Sequence, residues 1–206
     1  MKTLKILAKH SRREGIPLSD AASHARALSR RPFPPGVHGP TGSNHRQTDY
    51  GKQLREKQKA KRIYGLNERQ FQNLFREAVA KRGNSGEMLI QSLEMRLDNF
   101  VYRAGFAKTR PAARQSVSHA HFYVNGKKLN VPSYRVRIGD VITLRENKRN
   151  KGLWKGIEEV LAKKDAPSWL SVEGAAYTAK VTSIPTGTDL QQQFDPKLIV
   201  EFYSRQ

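Results

Sequence analysis

Cysteine is absent from the 206-residue sequence, which excludes disulfide bonds and thiolate metal sites. Long apolar runs are absent too, because no stretch approaches the roughly 18 consecutive apolar residues of a membrane-spanning helix. The first residues, Met1 to Leu7, lack the uninterrupted apolar segment of a secretory signal. We therefore expect a cytoplasmic protein without a membrane partner.

Acidic residues are scarce: 18 Asp and Glu stand against 38 Lys and Arg, for a formal net charge of +20. Residues 1–64 hold 15 basic and 4 acidic groups, and residues 96–155 hold 14 and 3. Residues 65–95, which lie between these segments, hold equal numbers of basic and acidic groups. Two separated cationic segments indicate two surfaces for one polyanion, and nucleic acid is the expected partner because bound phosphates release counterions. A basic surface that only confers solubility is the alternative.

The sequence shows no pattern of a catalytic or metal site. A zinc site needs about four nitrogen or sulfur donors, and the histidines lack paired ligand spacing. The glycine-rich stretch from Gly36 to Gly42 lacks the Gly-Lys-Ser/Thr ending of a phosphate loop. We therefore predict that the protein is not an enzyme and that it binds neither a metal nor a cofactor. RNA contact or simple surface placement remain as alternatives for the histidines, which are His10, His24, His38, His45, His119 and His121.

Residues 93–145 carry the patterns of a compact module. Apolar residues recur at helical spacing from Leu89 to Ala104, which predicts one amphipathic helix. Thr109 is a plausible N-cap for a second helix, with Pro111 tolerated in its first turn. The pair Asn125-Gly126 between extended runs predicts a β-hairpin. Two small helices on a short sheet follow from these signals.

The segment after the hairpin predicts a further strand. Tyr134, Val136 and Ile138 alternate with Arg135 and Arg137, so that one face is apolar and the other cationic. Two acids lie inside this basic module. We expect Asp98 to pair with Arg96 or Arg103, and Asp140 to shape a turn.

The N-terminal half divides into an arm and helices. Residues 1–48 are poor in large apolar groups and rich in proline and glycine, so we expect a largely irregular arm that becomes ordered on its partner. A flexible tail without a role is the alternative. Thr48 or Asp49 begins a cationic helix through Tyr64, and Asn67 with Gln70 forms a capping box for the next one.

The expected fold class is α+β. It comprises a helical N-terminal domain with an extended basic arm, a small two-helix, short-sheet RNA-binding domain, and extended C-terminal segments. We place the arm at 1–48 and the helical domain at 49–92, joined by the tail 196–206. The RNA-binding module then spans 93–195, with its core at 93–145.

Several runs in the module carry a resemblance to a known domain. They are Arg96 to Ala107, Thr109-Arg110, Ala113-Arg114-Gln115, Val124-Asn125-Gly126 and Gly139-Asp140. These runs resemble the alpha-L type RNA-binding domain, which is named after ribosomal protein four of the small subunit. The domain also occurs in tyrosyl-tRNA synthetases, pseudouridine synthases and a small heat-shock RNA binder. By itself this resemblance implies binding to structured RNA and nothing narrower.

Motifs outside the module extend the resemblance. They are Arg12-Arg13-Glu14-Gly15, Pro34 to Gly39, Asp49-Tyr50-Gly51, Leu54 to Lys59, Arg62 to Leu66, Glu68 to Phe71 and Leu198 to Ser204. Over the whole length and in order, they resemble the bacterial-type family of ribosomal protein four, the uS4 family. Many members carry a four-cysteine zinc site in the arm. Here Ala8, Ser11 and Arg26 stand at three of those positions, so the chain resembles the cysteine-free branch.

The resemblance implies a structural ribosomal protein that binds small-subunit ribosomal RNA first and nucleates assembly of its five-prime domain. It also implies contact with ribosomal protein five of the small subunit and with other proteins of the messenger entry channel. A location where messenger RNA enters the ribosome and an effect on translational accuracy are implied as well. Messenger RNA is a further expected partner, and DNA is not. The rivals are an RNA-modifying enzyme, for which residues 146–206 are too short, and a DNA-binding regulator, for which no recognition helix is evident.

Recognition of folded RNA by shape and phosphate position requires basic and polar side chains on an accessible surface. In the N-terminal half we predict RNA contacts by Arg12, Arg13, Arg30, Arg31, His38, Arg46, Tyr50, Lys52, Arg55, Lys57, Lys59 and Arg62. In the module we predict contacts by Arg110, Arg114, Gln115, Asn125, Lys127, Lys128, Arg135 and Arg137. Tyr50 and Tyr64 are open between base stacking and packing, whereas Tyr102 and Phe106 are expected in the core.

Overall fold

Helices make up most of the regular structure. The computed structural model describes residues 6–41, 47–149, 152–163, 165–190 and 192–205. Short 3-10 helices occur at Gly152–Trp154 and Gly187–Leu190. The described α-helices are α1 (Ala8–Glu14), α2 (Ala22–Arg30), α3 (Asp49–Ile63), α4 (Glu68–Val79), α5 (Ser85–Glu94), α6 (Leu97–Arg103), α7 (Arg110–Ser118), α8 (Glu146–Arg149), α9 (Ile157–Lys163) and α10 (Pro196–Ser204).

The strands form one antiparallel sheet in the order β2-β1-β3-β5-β4. The hairpin register pairs Val124 with Lys127, and on the other side of β1 Phe122 pairs with Leu144. Because side chains alternate along a strand, this register turns Phe122 and Val124 to one buried face. The strands are β1 (Phe122–Val124), β2 (Lys127–Leu129), β3 (Val141–Leu144), β4 (Leu170–Glu173) and β5 (Thr178–Val181).

The chain divides into two compact units. Met1–Ile90 and Gln192–Gln206 form unit 1, and Gln91–Gln191 form unit 2. Unit 1 is helical in its described residues, and unit 2 holds the sheet with helices α6 to α9.

Helix starts follow the capping residues of the sequence. Thr48 is the N-cap of α3 and its side chain accepts the Gly51 N–H at 3.2 Å, which confirms the predicted start. Asn67 and Gln70 form the predicted capping box of α4, with a Gln70 N–H to Asn67 Oδ1 distance of 2.8 Å. Thr109 caps α7 as predicted. These caps satisfy N–H groups that the first turn of a helix leaves unpaired.

The hairpin is confirmed in its predicted place. Asn125 and Gly126 adopt positive φ angles of 50° and 75°, the backbone that a tight two-residue turn requires. The Asn125 side chain bonds to Asp140 Oδ1 at 2.8 Å and accepts the Val141 N–H at 2.9 Å. Asp140 Oδ2 also accepts the Arg137 N–H, so Asp140 shapes a turn as expected.

The predicted single helix from Leu89 to Ala104 is wrong. Two helices, α5 and α6, replace it, because Met95 and Arg96 leave the helical path. Arg96 is extended and forms an isolated antiparallel bridge with Arg135. The backbone hydrogen bonds of this bridge region join Leu97 N–H to Tyr134 O and Val136 N–H to Met95 O. Pairing with a distant segment thus overrides a helical pattern that is otherwise continuous.

The strand predicted at 134–138 is wrong as well. In that segment only Arg135 is paired, through its bridge with Arg96. Val136 is buried as expected, but Ile138 is 58% exposed. The chain turns at Gly139-Asp140 before a second row of ladder bonds forms, which leaves Arg135 and Arg137 on an exposed loop. Their predicted exposure holds even though the strand does not.

Two other extended predictions are corrected to helix. The tail from Leu198 to Tyr203 lies in α10, where Asp195 caps the helix and Pro196 occupies its first turn. Within the arm, residues 8–14 and 22–30 are helical, whereas the other described residues of the arm lie outside regular structure. Leu18, between α1 and α2 in the sequence, is buried.

Each unit buries aromatic side chains. In unit 2, Phe106 packs edge-on against Phe122 at 5.4 Å, and Phe100 against Trp169 at 6.0 Å. In unit 1, the α10 residue Tyr203 stacks on Phe75 at 4.6 Å. Two or more such contacts per unit remove large apolar areas from water and hold the helices in fixed positions.

Candidate RNA interface

The β-hairpin and the loop before Gly139 present cations to solvent. Lys127, Lys128, Arg135 and Arg137 are all exposed. Asn125 is exposed as well, but both ends of its side chain are bonded within unit 2. The predicted contact role of Asn125 therefore becomes one of positioning, because this residue holds the turn that carries the two lysines.

Helix α7 places its three predicted contact residues differently. Gln115 is exposed. Arg110 is half-buried: its guanidinium lies 4.3 Å from the centre of the Tyr102 ring, and its Nε donates to Asn99 Oδ1 at 2.9 Å. These contacts fix the direction of the guanidinium while part of it stays accessible, which suits an oriented phosphate contact.

Arg114 is buried, which does not favour the RNA contact predicted for it. Its side chain is 8% exposed, and Nη2 lies 2.6 Å from Asp98 Oδ2. Arg96 binds the same carboxylate through Nε and Nη2, so two arginines share Asp98. Asp98 thus pairs with Arg96, one of its two expected partners. The planar, forked guanidinium satisfies a buried carboxylate well, which explains arginine in the interior here.

A second buried carboxylate joins α5 to α6. Glu94 accepts two hydrogen bonds from the guanidinium of Arg103, at 2.8 and 2.9 Å. Asn99 also donates to Glu94 Oε2 at 2.8 Å. Since Asn99 in turn accepts from Arg110, the network runs from the buried acid to the half-buried surface arginine. The interior of unit 2 therefore orients one of its candidate RNA contacts.

The cations of α3 are largely paired within unit 1. Lys57 is buried, with Nζ 2.7 Å from Glu68 Oε1 and 4.4 Å from the centre of the Phe202 ring. The charge is thus enclosed by a carboxylate and an aromatic face, which does not favour the RNA contact predicted for Lys57. Lys52, in contrast, is more than half exposed beside Asp49.

Glu14 at the end of α1 ties the arm to α3. Its buried carboxylate lies 2.5 Å from Arg62 Nη1 and 3.3 Å from Arg55 Nη1. Lys59 pairs with Glu56 at 2.5 Å. Acids of the same unit thus already neutralise part of the positive charge of α3.

Glu68 binds two lysines and a tyrosine of unit 1. Burial favours the neutral carboxyl, but hydrogen bonds from Lys57, Lys61 and Tyr203 outweigh it and lower the pKa of Glu68 to about 2. The Tyr203 hydroxyl donates to Glu68 Oε1 at 2.8 Å, and burial together with this bond raises the pKa of Tyr203. At neutral pH, ion pairs therefore join α3 to α4, and the hydrogen bond from Tyr203 joins α10 to Glu68.

The arm exposes most of its predicted contacts. Arg13, Arg30, Arg31 and His38 are exposed. Arg12 is held instead by backbone carbonyls and by the Phe33 ring, 5.1 Å from its guanidinium. The predicted contact at Arg46 lies outside the described residues.

A neutral hydrogen bond joins α1 to α2 where many relatives of the resembled family place zinc ligands. Ser11 Oγ and His24 Nδ1 are 2.6 Å apart in a buried position, and Ser11 Oγ also accepts the Leu18 N–H at 3.1 Å. Burial lowers the pKa of His24, which favours the neutral ring. The described part of the chain holds no group of three or more His, Asp or Glu that could bind a metal.

The aromatic residues separate into packed and accessible ones. Tyr64 and Phe106 are buried, so they belong to the cores, as expected for Phe106. Tyr102 is half-buried beneath Arg110. Tyr50 is 56% exposed and leans on Phe202 at 5.6 Å. Of these four rings, Tyr50 has the most surface for stacking on a base.

A further cationic patch lies around α8 and is absent from the sequence-based prediction. The guanidinium of Arg145 lies over Tyr123 at 5.7 Å, and that of Arg149 lies over Tyr177 at 5.0 Å. His121 Nδ1 and the Nε atoms of both arginines are buried without a partner among the described residues. The spacing of Arg145, Lys148 and Arg149 on one helical face was the available signal.

Two family models match the chain. Residues 6–94 match the ribosomal protein S4/S9 N-terminal domain, and residues 95–142 match the S4 domain. The small ribosomal subunit protein uS4 of Roseiflexus castenholzii is 47% identical over 201 residues, which cover 97% of each chain. The chain belongs to the uS4 family. Proteins of the same name from Syntrophomonas wolfei and Stenotrophomonas maltophilia are 44% and 48% identical and cover 97% and 96% of each chain.

Membership of the uS4 family confirms the resemblance drawn from the sequence and the expected fold class, a helical N-terminal domain followed by an S4 RNA-binding domain. It also confirms that the chain is not an enzyme, since the relatives are structural ribosomal proteins. The rival hypotheses of an RNA-modifying enzyme and a DNA-binding regulator are thereby set aside. Among the described helices, none is both long and apolar enough to cross a membrane.

Proposed function

We propose that this uS4-family protein is a structural constituent of the small ribosomal subunit that binds small-subunit ribosomal RNA directly. The observation that carries the proposal is the cationic surface of unit 2, formed by Lys127, Lys128, Arg135 and Arg137. The turn that carries the lysines is fixed by the hydrogen bonds of Asn125 and Asp140. A preformed surface loses little conformational entropy on binding, so its charges bind phosphates efficiently.

Shape and phosphate position are the features that such a surface reads. The deep major groove of A-form RNA hides base edges from side chains, whereas the phosphates remain accessible. On α7, the half-buried Arg110 and the exposed Gln115 are further candidate contacts of unit 2. Arg145 and Arg149 add a third group of cations in unit 2.

Unit 1 supplies a second set of contacts to the same RNA. The arm contributes residues that are exposed or partly exposed, and α3 contributes those that its acids do not enclose. These proposed contacts are Arg12, Arg13, Arg30, Arg31, His38, Tyr50, Lys52, Arg55, Lys59 and Arg62. Arg114 and Lys57 are not in the set, because each is buried in an ion pair.

Membership of the uS4 family supports a more specific role in the assembly and function of the ribosome. We propose that the protein binds the five-prime domain of the ribosomal RNA early and nucleates its assembly. We further propose that it contacts ribosomal protein five of the small subunit, lies where messenger RNA enters the ribosome, and affects accuracy. The segments 1–48, 49–92 with 196–206, and 93–195 are the proposed functional divisions.

Crosslinking followed by sequencing of the attached RNA tests the proposal. We expect small-subunit ribosomal RNA to dominate, with crosslinks concentrated in its five-prime domain. Omission of the protein from a reconstitution of the subunit should then block later proteins of that domain. Crosslinks spread over unrelated messengers or transfer RNAs would contradict ribosomal RNA as the partner, and normal reconstitution without the protein would contradict nucleation alone.

A further inference from the structure

Helices α1 and α2 enclose a cleft lined by positive charge. Its volume is about 450 Å³, within the range of pockets that hold small organic ligands. The rest of the lining is Ala8, Ser23 and Ala27, so no carboxylate faces into the cleft. Its cationic lining residues are Lys9, Arg12, Arg26, Arg30 and Arg31.

The placement of these cations follows from the helical repeat. Lys9 and Arg12 are three residues apart on α1, and Arg26 and Arg30 are four apart on α2, so each pair lies on one helix face. The buried bond between Ser11 and His24 joins the same two helices. Four cations are thereby held on facing helices without a metal.

The guanidinium of Arg12 is held in one orientation by its neighbours. Its Nε donates to Arg31 O at 3.1 Å and Phe33 O at 3.2 Å, while its guanidinium lies against the Phe33 ring. Fixed donors recognise a planar or tetrahedral anion at a lower entropic cost than mobile ones.

The local charge balance favours an anion in this cleft. Like charges on facing helices repel each other, and this repulsion is relieved when a counter-charge binds between them. Glu14, the acid of α1, is already engaged by Arg55 and Arg62 of α3 and does not line the cleft. None of the residues that line the cleft can neutralise its positive charge, so the counter-charge has to come from an external anion.

We propose that the cleft binds a phosphodiester segment of the ribosomal RNA, about one nucleotide in size, with Lys9 and Arg26 as direct phosphate contacts. The inference rests on the proposed function and deepens it, since neither Lys9 nor Arg26 belongs to the contacts proposed above. The three cleft arginines already in that set, Arg12, Arg30 and Arg31, then converge on one site. A free phosphate compound has the same chemistry, and the test separates the two sources.

The first arm of the test compares two double variants with the same loss of charge. Lys9→Gln with Arg26→Gln removes two cleft cations, and Arg69→Gln with Arg76→Gln removes two exposed cations of α4. Binding to a transcript of small-subunit ribosomal RNA is measured over a range of salt. We expect the cleft variant to bind at least about tenfold more weakly, with a salt slope lower by about one to two units. The α4 variant should stay near the parent.

The second arm checks folding and the free-phosphate source. The cleft variant should melt at the parent temperature or above in the absence of RNA, because repulsion between α1 and α2 is reduced. Pyrophosphate is then titrated into the full-length parent while the Arg26 side-chain N–H resonance is followed by NMR. We expect a shift only at millimolar concentrations or above, and RNA should compete with pyrophosphate for the site.

The outcomes separate the two proposals. Unchanged affinity and slope in the cleft variant, beside strong salt-dependent binding by the parent, would overturn the cleft and leave RNA binding intact. Weak, salt-independent binding by the parent itself would overturn the proposed function. Micromolar binding of pyrophosphate that RNA does not displace would instead make a free phosphate compound the occupant and contradict the RNA assignment.

Discussion

Arg114 donates to Asp98 inside unit 2, with a nitrogen–oxygen distance of 2.6 Å and both side chains less than a tenth exposed. Residues 98 and 114 belong to α6 and α7, so this ion pair fastens the two helices of the S4 domain to each other. Arg96 completes the pair from the other side of the carboxylate. A residue that the sequence places among RNA contacts is thus part of the interior.

Arg114→Ala should destabilise unit 2 rather than only weaken RNA binding. Asp98 keeps Arg96 as a partner in this variant, so we expect a loss of about 1.5–3 kcal/mol. Asp98→Ala should cost more, about 3–5 kcal/mol, because it leaves two arginines with buried charge and no acid. Urea unfolding measures both. Gln115→Ala, at the exposed neighbouring position, is the control and should stay within about 0.5 kcal/mol of the parent. Equal stability of Arg114→Ala and the control would refute the structural role.

The lysines of the hairpin should act in the opposite way. The side chains of Lys127 and Lys128 are exposed and make no hydrogen bond or ion pair with the described residues, so replacing both by Gln should leave the free energy of unfolding within about 0.5 kcal/mol. RNA affinity should fall about tenfold to a hundredfold. Replacement of both by Arg keeps the charges and should restore most of the affinity. Titration of labelled RNA with the three proteins measures this, and undiminished affinity of the Gln variant would exclude the hairpin from the interface.

Sequence reasoning succeeded where local chemistry decides the structure. The caps Thr48 and Asn67 and the turn Asn125-Gly126 depend on neighbours within a few residues, and all are confirmed. It failed where a distant partner decides. The helix break at Arg96 requires the segment of Arg135, which is 39 positions away in the printed sequence.

The same limit applies to the candidate contacts. A helical projection does not distinguish a buried arginine from an exposed one. The spacing of Arg110 and Arg114 therefore predicts that both lie on the surface. Lys57 is enclosed by Glu68 and by Phe202 of α10, a contact that no local pattern announces. Folding of the arm on its partner stays a prediction, although α1 and α2 provide helical structure within it.

Acid should loosen unit 1 through Glu68. Its folded-state pKa of about 2 lies below the ordinary value of 4.5, so its contribution to stability is complete above that value and is lost as pH falls toward 2. Because the side chain is nearly half exposed, we expect only about 1 kcal/mol from it. Urea unfolding of the parent and Glu68→Gln at about pH 6 and about pH 3 measures the difference. A pH dependence equal in both proteins would remove Glu68 as its source.

Zinc should have no effect on this member of the uS4 family. The chain has no cysteine, and the buried bond between Ser11 and His24 joins α1 to α2 without metal. Addition of zinc or of a chelator should change neither the melting temperature nor the RNA affinity. Ser11→Ala should lower stability by about 1–3 kcal/mol, because the buried His24 nitrogen and Leu18 N–H lose their partner. Stoichiometric zinc in the purified protein, lost together with structure, would contradict this account.

The salt dependence of binding tests the proposed RNA recognition most directly. The affinity for a transcript of small-subunit ribosomal RNA is measured at several salt concentrations. If about six to ten phosphates are neutralised by the two cationic sets, the logarithm of affinity should fall against the logarithm of salt with a slope of about four to nine. A slope near one would show that the exposed cations of the two units do not bind the RNA backbone, and would contradict the proposed interface.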